Sequence, residues 1–197
     1  VKDAGLEDST DVYIVSDHGF LPVERQINPN VLLAKAGLLE VDANGKITGG
    51  KIATLATGGA FFIYWPDSRN LQREVEAALK PLRDEDVLWT VLGRPALAEL
   101  GAEPAIQIAL EAPSGAGFDD EAKGEVVVNR QSLGGTHGYL PFRAGLESAF
   151  IAWGPGIRKG VNLHRIRMTS IGPTILQSMG ISDPQFGAQP PLSDIFK

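Results

Sequence analysis

An apolar run that ends abruptly on an acid, an imidazole and a glycine constrains this chain more than any other stretch. Asp11-Val12-Tyr13-Ile14-Val15-Ser16 is short and rich in β-branched residues, and it gives way to Asp17-His18-Gly19. Such a run reads as a buried strand whose C-terminal end opens into a polar turn. Adjacent strand residues point to opposite faces, so Asp17 and His18 converge only where the strand breaks. Gly19 suits a break, because glycine tolerates backbone angles that other residues avoid. A carboxylate beside an imidazole there is a mixed oxygen and nitrogen pair suited to Zn²⁺ or a similar ion. Open α/β sheets place their ligand sites at the same edge.

The remaining pattern alternates strands with helices. Asn28 is a good N-cap and Pro29 suits the first helical position, which predicts a helix over 29–36. Asp42-Ala43-Asn44-Gly45 reads as a hairpin turn between Leu39–Val41 and Gly45–Ile47. Ala60–Trp65 reads as a strand. Leu71, Val75, Ala78, Leu79 and Leu82 share one face of a helix over 71–82. Val87–Leu92 is an expected strand and Pro95–Leu100 a short helix. Ile106–Leu110 and Glu125–Val128 are expected strands on either side of a Gly, Ser and Asp-rich loop, Ala112–Lys123. Ser148–Trp153 reads as a buried strand ended by Gly154-Pro155-Gly156. Ser170–Met179 reads as a helix stopped by Gly180, followed by an irregular tail containing Pro184, Pro190 and Pro191. Trp65, Trp89 and Trp153 all fall in strand-like apolar runs and read as core. The pattern predicts an α/β sheet with helices on its faces and a subsidiary layer from the middle segment.

A second unusual histidine lies in Gly134-Gly135-Thr136-His137-Gly138-Tyr139. Small residues there let the backbone approach an ion or a phosphate closely, and neutral imidazole is the usual metal-ligating form. Each segment also has a plainer reading: a hydrogen-bonded turn for Asp17-His18, a surface turn for His137. No local zinc motif such as HExxH or a finger is present. The third histidine, His164, sits among Lys159, Arg165 and Arg167 and reads as solvated surface.

Composition narrows the alternatives. With 197 residues the chain suits one domain, or one lobe of a larger one. The net charge of −6 argues against a nucleic-acid-binding surface. No run of about 18 apolar residues is present to span a bilayer. The absence of cysteine removes disulfides and thiolate metal sites and leaves the redox compartment open. The chain opens on Val1 with no signal-like stretch, as expected for the middle of a longer polypeptide.

Taken together, the two histidine segments resemble a known family. Val12-Tyr13-Ile14-Val15-Ser16-Asp17-His18-Gly19-Phe20 resembles the strand and S-D-H-G-M signature of the type I phosphodiesterase/nucleotide pyrophosphatase branch of the alkaline phosphatase superfamily. Gly135-Thr136-His137-Gly138-Tyr139, with the later Gly154-Pro155-Gly156, resembles that branch's G-x-H-G-Y segment and its A-x-G-P-G strand end. Thr169–Leu176, leading to Met179-Gly180-Ile181, is similar to the family's closing helix. S-D-H-G alone is shared with sulfatases and cofactor-independent phosphoglycerate mutases; its combination with G-T-H-G-Y is far more specific. Phe20 stands where the family more often has Met, which is a packing change.

The resemblance implies an alkaline phosphatase-like α/β fold, with residues 1–197 as the C-terminal portion of one domain. It also implies two divalent ions, Zn²⁺ by preference, with Asp17 and His18 ligating one and His137 the other. The reaction implied is an in-line displacement at phosphorus between two ions roughly 4 Å apart, on a small phosphodiester or nucleotide pyrophosphate. In the family the nucleophilic Thr or Ser, its neighbouring Asp and a D-x-x-x-H segment all precede S-D-H-G, and only ten residues precede the strand here. Neither Thr10 nor Thr136 has the nucleophile's context. The resemblance therefore implies an incomplete ligand set, a partner in the missing N-terminal portion, and no useful turnover by these residues alone. A periplasmic or extracellular location is implied by the family only. Other superfamily phosphohydrolases, such as phosphomonoesterases or phosphonate hydrolases, and a non-catalytic binding domain are the alternatives.

Overall fold

The run that opens into Asp17-His18 forms strand β1 (Val12–Val15). It pairs antiparallel with the last strand of the chain, β11 (Phe150–Trp153), in the register Val12↔Trp153, Tyr13↔Ala152, Ile14↔Ile151 and Val15↔Phe150. The computed structural model describes residues 1–84, 90–181 and 189–197. Within them the chain divides into two units, one made of Val1–Gly19 with Glu147–Lys197, the other of Phe20–Leu146.

In the first unit β1 and β11 form a two-stranded sheet. Both strands read as buried in the sequence, and Trp153 as core. The structure corrects this: Ile14, Ile151 and Trp153 are each more than half exposed. Directly opposed residues share a face, so Ile14, Ile151 and Trp153 form one continuous apolar surface. A helix, α4 (Ile171–Ser178), follows a single 3₁₀ turn at Met168–Ser170. Its Thr174 hydroxyl donates to the Ser170 carbonyl at 2.6 Å and accepts the Leu192 N–H at 2.9 Å, tying the tail to the helix. Of the expected irregular tail, Pro184 lies outside the described residues, while Ser193–Ile195 form one further 3₁₀ turn.

The second unit carries three sheets. Strand β2 (Leu21–Ile27) runs between β10 (Val127–Thr136), antiparallel to it, and β9 (Gly115–Phe118), parallel to it. Neither β2 nor β9 is evident in the sequence. Pro22 argues against a central strand, yet it stands at the strand's start, where a missing N–H is tolerated. The glycine-rich stretch expected as a loop holds β9, because β2 supplies a ready ladder. Helix α1 (Pro29–Lys35) follows β2. Asn28 precedes it but does not cap it through its side chain; that amide donates to the Glu125 carbonyl at 2.8 Å and accepts from Gln26 at 3.0 Å.

Strands β3 (Leu39–Val41) and β4 (Ile47–Gly50) form the expected hairpin. One Asp42 carboxylate oxygen accepts the N–H groups of Asn44 and Lys46 and closes the turn. The third sheet has the order β5-β6-β8-β7, from β5 (Ala53–Ala56), β6 (Ala60–Tyr64), β7 (Thr90–Gly93) and β8 (Ile106–Glu111). Of the strand expected over 87–92, residues 87–89, including Trp89, lie outside the described residues. Helix α2 (Gln72–Asp84) lies in sequence between β6 and β7, and α3 (Arg94–Glu99) between β7 and β8.

The amphipathic pattern of α2 sets the core. Val75, Leu79 and Leu82 are almost wholly buried, in one cluster with Leu33 and Leu38, with Phe61 and Ile63 of β6, and with Leu110 of β8. Each such side chain withdrawn from water contributes on the order of 1.5–3 kcal/mol. Trp65, read as core, is buried in this cluster. The turn between β5 and β6 meets the segment after β10, where the Gly59 N–H donates to the His137 carbonyl.

Candidate metal-binding and catalytic site

The break after β1 brings Asp17 and His18 together through local geometry. One Asp17 oxygen, Oδ1, accepts the backbone N–H of His18 at 3.1 Å, and the other, Oδ2, stands 3.4 Å from His18 Nε2. His18 Nδ1 lies 3.0 Å from the Gly19 carbonyl oxygen. A carbonyl only accepts, so Nδ1 carries a proton and Nε2 is the ring nitrogen that faces Asp17 Oδ2. Donors bonded at about 2.0–2.1 Å to one tetrahedral Zn²⁺ stand roughly 3.3–3.4 Å apart, which the pair matches. An N–H to carbonyl bond on the far side of a metal-ligating imidazole is also the usual device for fixing its tautomer.

Gly19 takes part differently from the sequence expectation. It is not among the described glycines with positive φ, and its contribution is the carbonyl that orients His18. The segment is pinned from the chain entering β11. Ser16 exchanges two bonds with Ala149: its N–H donates to the Ala149 carbonyl at 3.1 Å and its hydroxyl accepts the Ala149 N–H at 2.8 Å. The Ser148 hydroxyl donates to the Asp17 carbonyl at 3.1 Å. The Asp17 side chain is largely exposed and the His18 ring about one-third exposed. Both can thus be reached from outside their unit.

His137 belongs to the second unit, just past the end of β10. Its carbonyl accepts the Gly59 N–H at 2.6 Å, and its ring meets Phe20 edge-on at 5.4 Å. Gly138 is required beside it: φ is +79°, and a Cβ there would lie 2.1 Å from the Thr57 carbonyl oxygen. Tyr139 is buried, and its hydroxyl donates to the Ala116 carbonyl at 2.6 Å. Burial pushes the Tyr139 hydroxyl above its ordinary pKa, with Arg143 acting against the rise. His164 is exposed, as its basic neighbours suggest.

Sequence reasoning missed Glu111. It ends β8 with only 1% of its surface exposed, and Oε1 accepts the Leu140 N–H at 3.0 Å. Burial holds its carboxyl above the ordinary range, opposed by the Leu140 bond and by Arg143. An acid directly after Ile-Gln-Ile-Ala-Leu looks like a strand's solvent end; its burial depends on the later segment that folds over it.

Among the described residues, no group of three or more His, Asp or Glu side chains gathers to hold a metal. The donor chemistry and spacing of Asp17 and His18 fit two corners of one ion, short of the three protein ligands usual for catalytic zinc.

Residues 1–140 match the family model for type I phosphodiesterase / nucleotide pyrophosphatase. The chain belongs to this family, and its fold is a partial alkaline phosphatase-like α/β fold. Among solved structures it is similar to human ectonucleotide pyrophosphatase / phosphodiesterase 5, at 21% identity and a TM-score of 0.68. It is also similar to the murine counterpart, at 18% identity and 0.66. An inactive variant of the murine protein in complex with AMP matches at 17% and 0.66. All of this chain is covered in each case, and 48% of the other, so the chain spans about half the length of these relatives. A comparison with curated proteins gives no match.

Proposed function

We propose that Asp17, His18 and His137 are metal ligands of a phosphodiesterase or nucleotide pyrophosphatase, acting within a longer protein. The observation that carries this reading is the 3.4 Å approach of Asp17 Oδ2 to an imidazole Nε2 whose other nitrogen is bound to the Gly19 carbonyl. Family membership of residues 1–140 supports the reaction class. The AMP held by the murine relative supports a nucleotide as the substrate moiety.

In this reading Asp17 and His18 hold one divalent ion and His137 a second. Such ions supply Lewis acidity at the phosphoryl oxygens and lower the pKa of a hydroxyl nucleophile. The chain's own contribution is positional. Ser16 and Ser148 fix the Asp17-His18 backbone, the Gly19 carbonyl sets the His18 tautomer, and Gly59 and Gly138 fix the backbone around His137. The nucleophilic hydroxyl and further ligands would come from outside these 197 residues, so the chain alone would turn over no phosphodiester at a useful rate.

The test is hydrolysis of a chromogenic phosphodiester by the longer protein, depleted of metal and then restored with Zn²⁺. Restoration should recover activity, and His18→Ala or His137→Ala should each lower kcat/KM by at least about 100-fold, since metal charge stabilisation is worth several kcal/mol. Unchanged activity in His18→Ala contradicts the ligand assignment. Robust turnover by the 197-residue chain, lost in His137→Ala, contradicts the missing nucleophile.

A further inference from the structure

Burying a carboxyl group at the end of an interior strand is costly, and an apolar residue of the same volume would often be as stable there. Glu111 is 1% exposed on β8, which lies between β6 and β7. Its Oε2 is buried with no hydrogen-bond partner. Buried polar atoms are nearly always satisfied, so this one calls for an explanation. The other oxygen, Oε1, offers one: it holds the N–H of Leu140, three residues after His137.

Arg143 grips the same segment from the next position on the sheet. Its guanidinium donates to the Ala112 carbonyl at 3.0 Å and lies over the Tyr139 ring, 5.0 Å from its centre. The Ala112 N–H in turn donates to the Gly59 carbonyl at 2.9 Å, and Gly59 N–H holds the His137 carbonyl. The end of β8 therefore clamps the chain at His137 and the residues that follow it. Leu140 and Arg143 are fixed directly, and His137 through Gly59.

We infer that Glu111, together with Arg143, is a positioning residue for His137. The buried carboxyl holds the Leu140 N–H, Arg143 holds Tyr139 against the sheet end, and the imidazole of His137 is thereby presented in one orientation. This rests on the reading of His137 as a metal ligand, but the positioning itself is a property of the metal-free protein.

The experiment uses the longer protein with ¹⁵N-labelled histidine, and compares wild type, Glu111→Leu and Glu111→Gln. Imidazole spectra are recorded without metal, Zn²⁺ titrations follow, and thermal unfolding monitors the fold. Glu111→Leu fills the space but cannot accept from Leu140. It should broaden or split the His137 ring signals while leaving those of His164 unchanged, and weaken binding of one Zn²⁺ of the pair by about 10–100-fold, the usual effect of losing an outer support. Glu111→Gln retains an acceptor oxygen and should restore both to near wild type. A space-filling role predicts no such rescue, so a wild-type His137 spectrum and Zn²⁺ affinity in Glu111→Leu overturn the inference. If Glu111→Leu does not fold, Arg143→Met carries the same comparison: an unchanged His137 spectrum refutes the clamp and a broadened one supports it. Should wild type bind no Zn²⁺, the metal-ligand reading fails, while the metal-free spectra still decide the positioning.

Discussion

Glu111 illustrates how a single buried side chain sets a pH dependence. Its folded pKa lies above the ordinary Glu value, with burial the largest cause, so the folded state binds its proton more tightly than the unfolded chain. The stabilising contribution is complete below the unfolded value of about 4.3 and is lost as pH rises through the raised folded value. The charged group acting on it is Arg143, which with the Leu140 bond opposes the rise, and Glu111 in turn reinforces the upward shift of Tyr139. In urea unfolding at a series of pH values, Glu111→Gln should flatten that loss; an unchanged slope would assign the dependence to other groups. Gly138 makes a second prediction at this scale. Its positive φ and the Thr57 carbonyl where a Cβ would sit make Gly138→Ala destabilising by about 1–3 kcal/mol. Denaturant midpoints read this directly.

At the scale of elements, two apolar sets of similar sequence behave oppositely. Leu79 on α2 is buried among Leu33, Phe61 and Ile63, so Leu79→Ala should cost about 2–5 kcal/mol. Ile151 on β11 is more than half exposed, so Ile151→Thr should change stability by no more than about 0.5 kcal/mol in this chain. Chemical denaturation of the two variants checks the contrast. A period of 3.6 identifies α2 and its buried face from sequence, because one face of a helix must find a core. The run Val12–Val15 reveals a strand but not its cover, since continuous apolarity cannot say what packs on each face. The strands β2 and β9 escape notice because their pairing depends on partners distant in sequence. Pro22 and the glycines of β9 carry no local signal for it.

For the molecule as a whole, the family and its α/β fold are legible in two short segments, Ser16–Phe20 and Gly135–Tyr139, and the match over residues 1–140 agrees. The break after Ser16 is legible in part: the strand does end there, but Gly19 contributes its carbonyl to His18 rather than an unusual backbone angle. The clamp on His137 is not: Glu111, Tyr139 and Arg143 meet only once β8 and the turn after β10 are in place. The account predicts that the apolar surface of Ile14, Ile151 and Trp153 is covered in a protein of the relatives' full length. The Trp153 fluorescence, taken at each length as the difference between the protein and its Trp153→Phe variant, should be quenched less by iodide in the longer protein; equal quenching would argue that this face stays open.

The most direct measurement is anomalous diffraction at the zinc edge from crystals of the longer protein grown with Zn²⁺. The account predicts a peak about 2.0–2.2 Å from both Asp17 Oδ2 and His18 Nε2, with a second peak bonded to the His137 ring. Zinc bound only elsewhere, with none at Asp17 and His18, would contradict it.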